Sequence, residues 1–218
     1  FLKEVDAWHR LPPDRIAAVT RMEVFGDDGK SRLDFALPGG RPLAWIVEGN
    51  RLSRAIEESA RDRGVTICRD ARAQSISSRA GAAGVALEDG SLLEADLLVG
   101  ADGAQSWVRG ELGLAFEEKR YPETAVVAHF RCEHPSAGVA RQWFRRDGIL
   151  AWLPLPGAMM SIVWSARDDL ADELVAMAPE KFASRVRDAG GSALGDLELA
   201  SSVERFALRQ VRVPRIAV

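Results

Sequence analysis

Apolar positions along this chain change their period several times, and each change marks an element. Phe1, Leu2, Val5 and Trp8 fall at helical spacing, and Leu11-Pro12-Pro13 stops the run because a proline pair cannot continue a helix. Residues 19–25 and 31–37 alternate as strands on either side of Gly26-Asp27-Asp28-Gly29, a turn rich in residues that tolerate positive φ. Pro38-Gly39-Gly40 reads as a loop and Leu43–Val47 as a short extended piece. From Glu48 to about Arg63, Leu52, Ala55, Ile56 and Ala60 return to helical spacing until Gly64 ends the helix. Val65–Cys68 then reads as a short strand of the kind that follows a helix in a parallel sheet. Strands are expected near 72–78, 83–88 and 91–95, the last two joined by a tight Asp89-Gly90 turn. Leu97-Leu98-Val99-Gly100 is wholly apolar, the pattern of a strand buried on both faces.

After Arg120 the texture changes. Strand-like runs occupy 124–132, 140–146, 149–153 and 159–165, linked by Asp147-Gly148 and by Pro154-Leu155-Pro156-Gly157. Helices are expected at 168–177 and 180–189, the second entered through Pro179, followed by a glycine-rich loop and an alternating strand from Leu197 to Phe206. The first half therefore mixes helices with parallel-type strands, and the second is a mostly antiparallel sheet with helices covering it. The layout is α/β plus α+β.

Composition narrows the functions. The 218 residues are 47% hydrophobic and 28% charged, an ordinary globular balance with enough chain for a real core. A net charge of −3 argues against a nucleic-acid partner, since few phosphates could be neutralised. No stretch approaches the roughly 18 apolar residues that span a bilayer. Cys68 and Cys132 lack CxxC spacing, which points to reduced, buried thiols in a cytoplasm, and His9, His129 and His134 show no metal-ligand spacing and read as structural. The chain opens on Phe1 inside an apolar run and closes on the strand-like Arg215–Val218, so both ends read as cut.

The stretch with the most chemistry is Asp96-Leu97-Leu98-Val99-Gly100-Ala101-Asp102-Gly103-Ala104-Gln105-Ser106-Trp107-Val108-Arg109. An apolar strand ends in a turn of small residues holding a carboxylate, and a helix begins at once. Dinucleotides sit at the carboxyl ends of parallel strands, where helix N-termini offer free N–H groups to phosphate. Gly100 and Gly103 would let backbone approach a ligand, while Ser106 and Arg109 share one helical face. Asp102 suits a ribose hydroxyl, a bridging water or a backbone amide better than a phosphate. It could equally serve as a helix cap.

Gly100–Arg109 resembles the second fingerprint, the Asp-Gly motif, of the p-hydroxybenzoate hydroxylase family of flavoprotein monooxygenases. Three further stretches resemble the branch of that family that hydroxylates ubiquinone precursors, in that branch's order: Ala44–Leu52, Gln142–Pro156 and Met160–Trp164. The resemblance covers nearly the whole chain. It implies an incomplete Rossmann-like FAD-binding domain, residues 1–18 and 47–118 with a β-meander at about 72–95. Inserted in it would be a mostly antiparallel substrate-domain sheet covered by helices, residues 19–46 and 119–210, with 211–218 a strand returning to the FAD-binding domain. The family's GxGxxG first fingerprint and its Gly-Asp third fingerprint are absent, so a fragment lacking both is expected not to retain FAD by itself. Glu48-Gly49-Asn50-Arg51-Leu52 also carries a glycine where relatives read Glu-Asn-Arg, which leaves open which of Asn50, Arg51 and Arg54 faces the flavin.

The resemblance implies FAD as cofactor, held by Asp102, Gly103, Arg51, Asn50 and Arg109, and NAD(P)H as co-substrate. The implied activity is NAD(P)H- and O2-dependent hydroxylation of a small aromatic ring, phenolic and polyprenylated. The flavin does the difficult chemistry, so no catalytic residue is singled out. Such a substrate brings peripheral contact with the inner membrane to a cytoplasmic protein; the residues name no oligomeric state. Trp143, Phe144, Trp152, Leu155 and Trp164 could line an aromatic pocket shaped by Pro154 and Pro156, or could simply be core. A reductase or halogenase on the same fold, or a cofactor-free module for an apolar ligand, stays open at this level.

Overall fold

A computed structural model of the chain describes residues 1–79 and 81–217. Contacts divide it into two compact units: Phe1–Gly64 with Tyr121–Leu208, and Val65–Arg120 with the residues from Arg209 on. The expected opening helix is a single turn. Asp6 takes a left-handed φ of 57°, the amides of Ala7 and Trp8 both fold back to the Leu2 carbonyl, and a 3-10 turn at Trp8–Arg10 follows. Beyond the proline pair come β1 (Ile16–Val19), β2 (Arg21–Phe25), β3 (Arg32–Ala36) and β4 (Ala44–Val47). The sequence reading began its first strand at Val19 and so missed β1, which Thr20 separates from β2 by turning its N–H to the Gly138 carbonyl. Helix α1 (Gly49–Asp62) then runs to the Gly64 stop and buries Ala55 and Ser59.

The expected meander is present as β5 (Ala73–Arg79), β6 (Ala82–Leu87) and β7 (Leu92–Ala95), paired in that order. Its second turn closes through the Gly90 amide on the Leu87 carbonyl, with Asp89 Oδ1 accepting from the Ser91 amide and hydroxyl. Neither Val65–Cys68 nor Leu97–Gly100 forms a ladder, contrary to the sequence reading. A parallel strand buried on both faces needs strands beside it, and no described strand pairs with either segment. Helix α2 (Trp107–Glu111) follows the second of them.

The large sheet is built from β8 (Glu117–Cys132), β9 (Val139–Arg145), β10 (Gly148–Leu155) and β11 (Met159–Arg167), followed by α3 (Asp168–Ala176) and α4 (Pro179–Ala189). Pro179 sits in the first turn of α4, where its missing N–H costs nothing. The alternating run expected from Leu197 to Phe206 is broken over 200–203 into β12 (Leu197–Leu199) and β13 (Glu204–Arg212). The expected final strand over 211–218 likewise ends at Arg212; residues 213–217 make no ladder, and Val218 lies outside the described residues. The sheet order is β12-β8-β11-β10-β9-β2-β3, with β13 also on β8. All described pairs within it are antiparallel except β2 with β9.

Period-2 alternation gives this sheet two unlike faces. Leu150, Trp152 and Pro154 of β10 stand opposite Trp164, Ile162 and Met160 of β11, which stand opposite Val126, Ala128 and Phe130 of β8. These side chains are buried and are covered by Leu174 of α3 and by Phe182 and Val186 of α4, with Phe130 and Phe182 rings 5.6 Å apart. That is the core. The opposite face carries Leu153, Ser161 and His129 in one row across the same three strands.

Candidate functional site

Two cavities hold the residues that the sequence singled out, one in each unit. The first, of about 640 Å3, lies against the row Leu153, Ser161 and His129 and is closed on another side by β4 and the start of α1. Ile46, Val47, Leu155, Pro156 and Met159 make its walls apolar, and Arg15, Glu48 and Asn50 add polar groups. β1 and β4 place Arg15 beside Glu48, because their antiparallel register pairs Ile16 with Val47. Glu48 accepts from Arg15 and, at 2.7 Å, from Arg51 Nε. Burial pushes the Glu48 carboxyl up, but the hydrogen bonds from Arg51 and Arg15 outweigh it, and its pKa lies below the usual carboxylate value.

The glycine insertion in Glu48-Gly49-Asn50-Arg51-Leu52 is resolved locally. Glu48 is the residue before α1, so Gly49 and Asn50 occupy the first turn and Asn50 lines the cavity, its Oδ1 accepting from the Arg51 amide at 2.7 Å. Arg51 turns to Glu48, and Arg54 pairs with Glu58 at 2.9 Å on the exposed side of the helix. Of the aromatic set, Trp152 and Trp164 belong to the core, and Trp143 stacks on Phe25 with ring centroids 5.3 Å apart. Phe144 is exposed, Pro154 is buried, and only Leu155 and Pro156 of the expected pocket residues line the cavity. Alternation explains the split: on β10 and β11 the tryptophans carry the parity of the helix-covered face.

The second cavity, about 390 Å3, is lined by the Asp-Gly stretch itself, including Asp102, Gly103, Ser106 and Arg109. Asp102 Oδ2 accepts from the Val108 amide at 3.1 Å and Ser106 Oγ from the Arg109 amide at 3.0 Å, so both side chains cap α2. The Ser106 hydroxyl and then the Val108 and Trp107 amides hold the Asp102 carboxyl below its ordinary pKa, so it is anionic at neutral pH. Gly103 has φ of 85°, a conformation that favours glycine, with open space where a Cβ would be. Gly100 plays a different part: a Cβ there would meet Val108 Cγ1 at 2.9 Å, so its missing side chain lets the strand-like segment pack on α2. Arg109 donates to the Ala104 carbonyl at 2.7 Å and lies over the Phe116 ring at 4.3 Å. An anionic carboxylate beside an open glycine backbone and an arginine fits the ribose and phosphate end of a dinucleotide.

The sequence reading thus brings Asp102, Gly103 and Arg109 onto one cavity and Asn50 onto the other, with Arg51 held beside Asn50 by Glu48. It missed Arg15, Ser161 and His129. The signal for the last two was the alternation of 126, 128 and 130 in β8 and of 160, 162 and 164 in β11, which leaves 129 and 161 on the other face. Among the described residues no cluster of side chains could hold a metal ion, and no helix is long and apolar enough to cross a membrane.

The chain is similar to several known proteins. The chain is 33% identical over 155 residues to the ubiquinone hydroxylase UbiL of Rhodospirillum rubrum, covering 71% of this chain and 36% of that protein. It is 30% identical over 200 residues to the mitochondrial ubiquinone biosynthesis monooxygenase COQ6 of Homo sapiens, covering 87% and 43%. The chain therefore spans less than half of either relative. Among solved structures, PqsL of P. aeruginosa in complex with 2-aminobenzoylacetate superposes with a TM-score of 0.70 at 21% identity, over 92% of this chain and 57% of that one. A flavoprotein/dehydrogenase from Cytophaga hutchinsonii superposes at 0.71 with 15% identity, over 98% and 56%. These likenesses carry the fold. The family model described as an FAD binding domain matches residues 8–216, nearly the whole chain, and the protein belongs to that family of flavoproteins.

Proposed function

We propose that this chain is the central part of an FAD-dependent monooxygenase that hydroxylates a small phenolic, polyprenylated aromatic ring with NAD(P)H and O2. One observation carries the reading. Of the stretches that resemble the ubiquinone branch, 44–52 is remote in sequence from the hairpin that carries 142–156 and 160–164, yet they contribute Ile46–Asn50, Leu153, Leu155, Pro156 and Ser161 to a single cavity with apolar walls. The chain's likeness to the ubiquinone hydroxylase UbiL and the ubiquinone biosynthesis monooxygenase COQ6 supports the reading. In this reading residues 1–18 and 47–118 serve the cofactor, 19–46 and 119–210 the substrate, and 211–218 return to the cofactor side.

Asp102, Gly103 and Arg109, with Asn50 and Arg51, are the residues assigned to FAD. Asp102 would accept from a ribose hydroxyl of the bound cofactor, and Gly103 would leave backbone open to its phosphates. Bound FAD, reduced by NAD(P)H, supplies the activation of O2. The chain's own part is to hold the ring, align it and exclude water with Ile46, Val47, Leu153 and Leu155. A cytoplasmic protein meeting its polyprenylated substrate at the surface of the inner membrane completes the proposal.

The test is a protein extended to the length of its relatives. It should purify with stoichiometric FAD, oxidise NAD(P)H faster when an alkylphenol is added, and yield a ring-hydroxylated product by mass spectrometry. Absence of flavin, or NAD(P)H oxidation that yields no hydroxylated product from any phenol, overturns the reading. Exchanging residues 120–210 for those of a relative of other specificity should move ring preference and leave FAD content unchanged.

A further inference from the structure

Two hydrogen-bonding side chains, Ser161 and His129, lie side by side on the sheet face that lines the large cavity. Arg15 and Arg51 occupy both oxygens of the Glu48 carboxylate, and the Asn50 carbonyl oxygen takes the Arg51 amide. The Ser161 hydroxyl and the His129 imidazole have no side-chain hydrogen bond among the described residues; Ser161 is 7% exposed and His129 is exposed, so both polar groups are open to whatever enters the cavity. A ligand or water there completes them.

Their spacing follows from the ladder. Ser161 and His129 are direct partners on β11 and β8. The His129 amide donates to Ser201 Oγ at 2.9 Å and its carbonyl accepts from the Ala200 amide at 2.8 Å, so both backbone groups point away from β11. The pair is therefore a non-hydrogen-bonded antiparallel pair, the kind with Cα atoms about 4.5 Å apart and side chains at their closest. Leu153 flanks Ser161 on the other side, and Leu155, Pro156 and Met159 surround the pair with apolar surface. The result is one small polar spot on an apolar floor.

We propose that Ser161 and His129 together recognise the ring hydroxyl of the substrate. A phenol O–H donates one hydrogen bond and accepts another. A serine hydroxyl can do both, and a neutral imidazole offers one N–H and one bare nitrogen, so the two side chains supply a donor and an acceptor to a single oxygen. An aryl methyl ether keeps the acceptor and loses the donor, and leaves one of the two partners unpaired. The inference rests on the phenolic reading of the substrate given above.

The experiment uses the full-length flavoprotein with meta-decylphenol and its methyl ether, their dissociation constants measured by equilibrium dialysis. The unaltered protein should prefer the phenol by about tenfold or more, as sites built around a substrate hydroxyl do. Ser161→Ala and His129→Phe should each cut that preference at least threefold, roughly one hydrogen bond apiece, with ether affinity and FAD content unchanged. Ser161→Thr and His129→Gln, which keep a hydroxyl and a polar side-chain partner, should retain part of it. If the unaltered protein prefers the phenol and both removal variants keep the full preference, the pair is wrong and the phenolic reading survives. If the unaltered protein shows no preference, the pair is overturned, and product formation from alkylphenols decides the function separately.

Discussion

Two apolar stretches of this chain meet opposite fates. In β10 and β11 every second residue is apolar and buried, with Trp164 and Ile162 inaccessible beneath α3 and α4. In Leu97–Gly100 every residue before the glycine is apolar, yet Leu97 is 75% and Val99 71% exposed. Hydrophobicity alone does not separate them, since the second run is the more apolar. The difference is supply: the antiparallel strands find ladder partners and covering helices within the chain, and Leu97–Gly100 finds no ladder partner among the described strands. The units that result are a sheet with its own core and an Asp-Gly segment with an open face.

The largest effect should come from exchanging equivalent apolar groups in the two places. Trp164→Ala removes a buried ring and should cost about 3–5 kcal/mol in urea unfolding. Trp164→Phe should recover most of that, because Trp164 Nε1 has no hydrogen-bond partner among the described residues. Val99→Ala should change the stability of this chain by less than about 0.5 kcal/mol. In a protein of its relatives' length, the same Val99→Ala should cost more than about 1 kcal/mol. Equal costs of Val99→Ala at both lengths would break the comparison.

The same contrast explains what could be read from sequence. Turns and antiparallel strands were legible because their signals are local: Asp89-Gly90 dictates a hairpin, and alternation dictates the faces of β10 and β11. Helix α4 was legible because Pro179 and the spacing of Phe182, Val186 and Ala189 agree. The opening helix misled because its apolar spacing says nothing about Asp6 leaving the helical region. The Leu97–Gly100 strand misled because pairing is a property of neighbours. At the site, Asp102 and Gly103 were visible as a motif, whereas Ser161 and His129 join only through a register that spans 32 residues.

The cysteines probe the contrast directly. The sequence reading expected both to be buried, but Cys68, in the Asp-Gly unit, is exposed because Val65–Cys68 joins no ladder; Cys132, at the end of β8, is buried, and burial pushes its thiol up to about 11. A disulfide reagent near neutral pH should label Cys68 at least about a hundred times faster than Cys132, which should react only on unfolding. Comparable rates for both would mean that the sheet core opens as readily as the motif segment.

Asp102 sharpens the functional side of the comparison. In the full-length protein, Asp102→Ala should weaken FAD retention about ten- to hundred-fold, the range for losing a charge-assisted hydrogen bond. Asp102→Asn should fall between, since an amide oxygen still accepts from Val108 and a ribose hydroxyl. Flavin titration measures both, with thermal unfolding as the control. Unchanged flavin affinity together with a lowered melting temperature would reduce Asp102 to the cap of α2.

The smallest effect concerns another depressed carboxyl, Asp147, in the turn between β9 and β10. Hydrogen bonds from the Arg145 guanidinium at 2.8 and 3.2 Å lower its pKa below the ordinary value, with Arg185 adding a weaker attraction. A carboxyl with a depressed folded-state pKa binds protons less readily in the folded state than in the unfolded. Its stabilisation is therefore complete above the unfolded value of about 3.9 and drains away as pH falls through the folded one. Asp147→Asn should lower stability by less than about 1 kcal/mol near neutrality, because the pair is partly solvated. Below about pH 4 the variant and the unaltered chain should converge, giving the variant the shallower acid limb. Urea unfolding across that range reads the slope directly. Parallel acid limbs would mean that Arg145 contributes nothing to the charged form of Asp147, leaving the Arg145 bond to the Ala189 carbonyl as its remaining tie to α4.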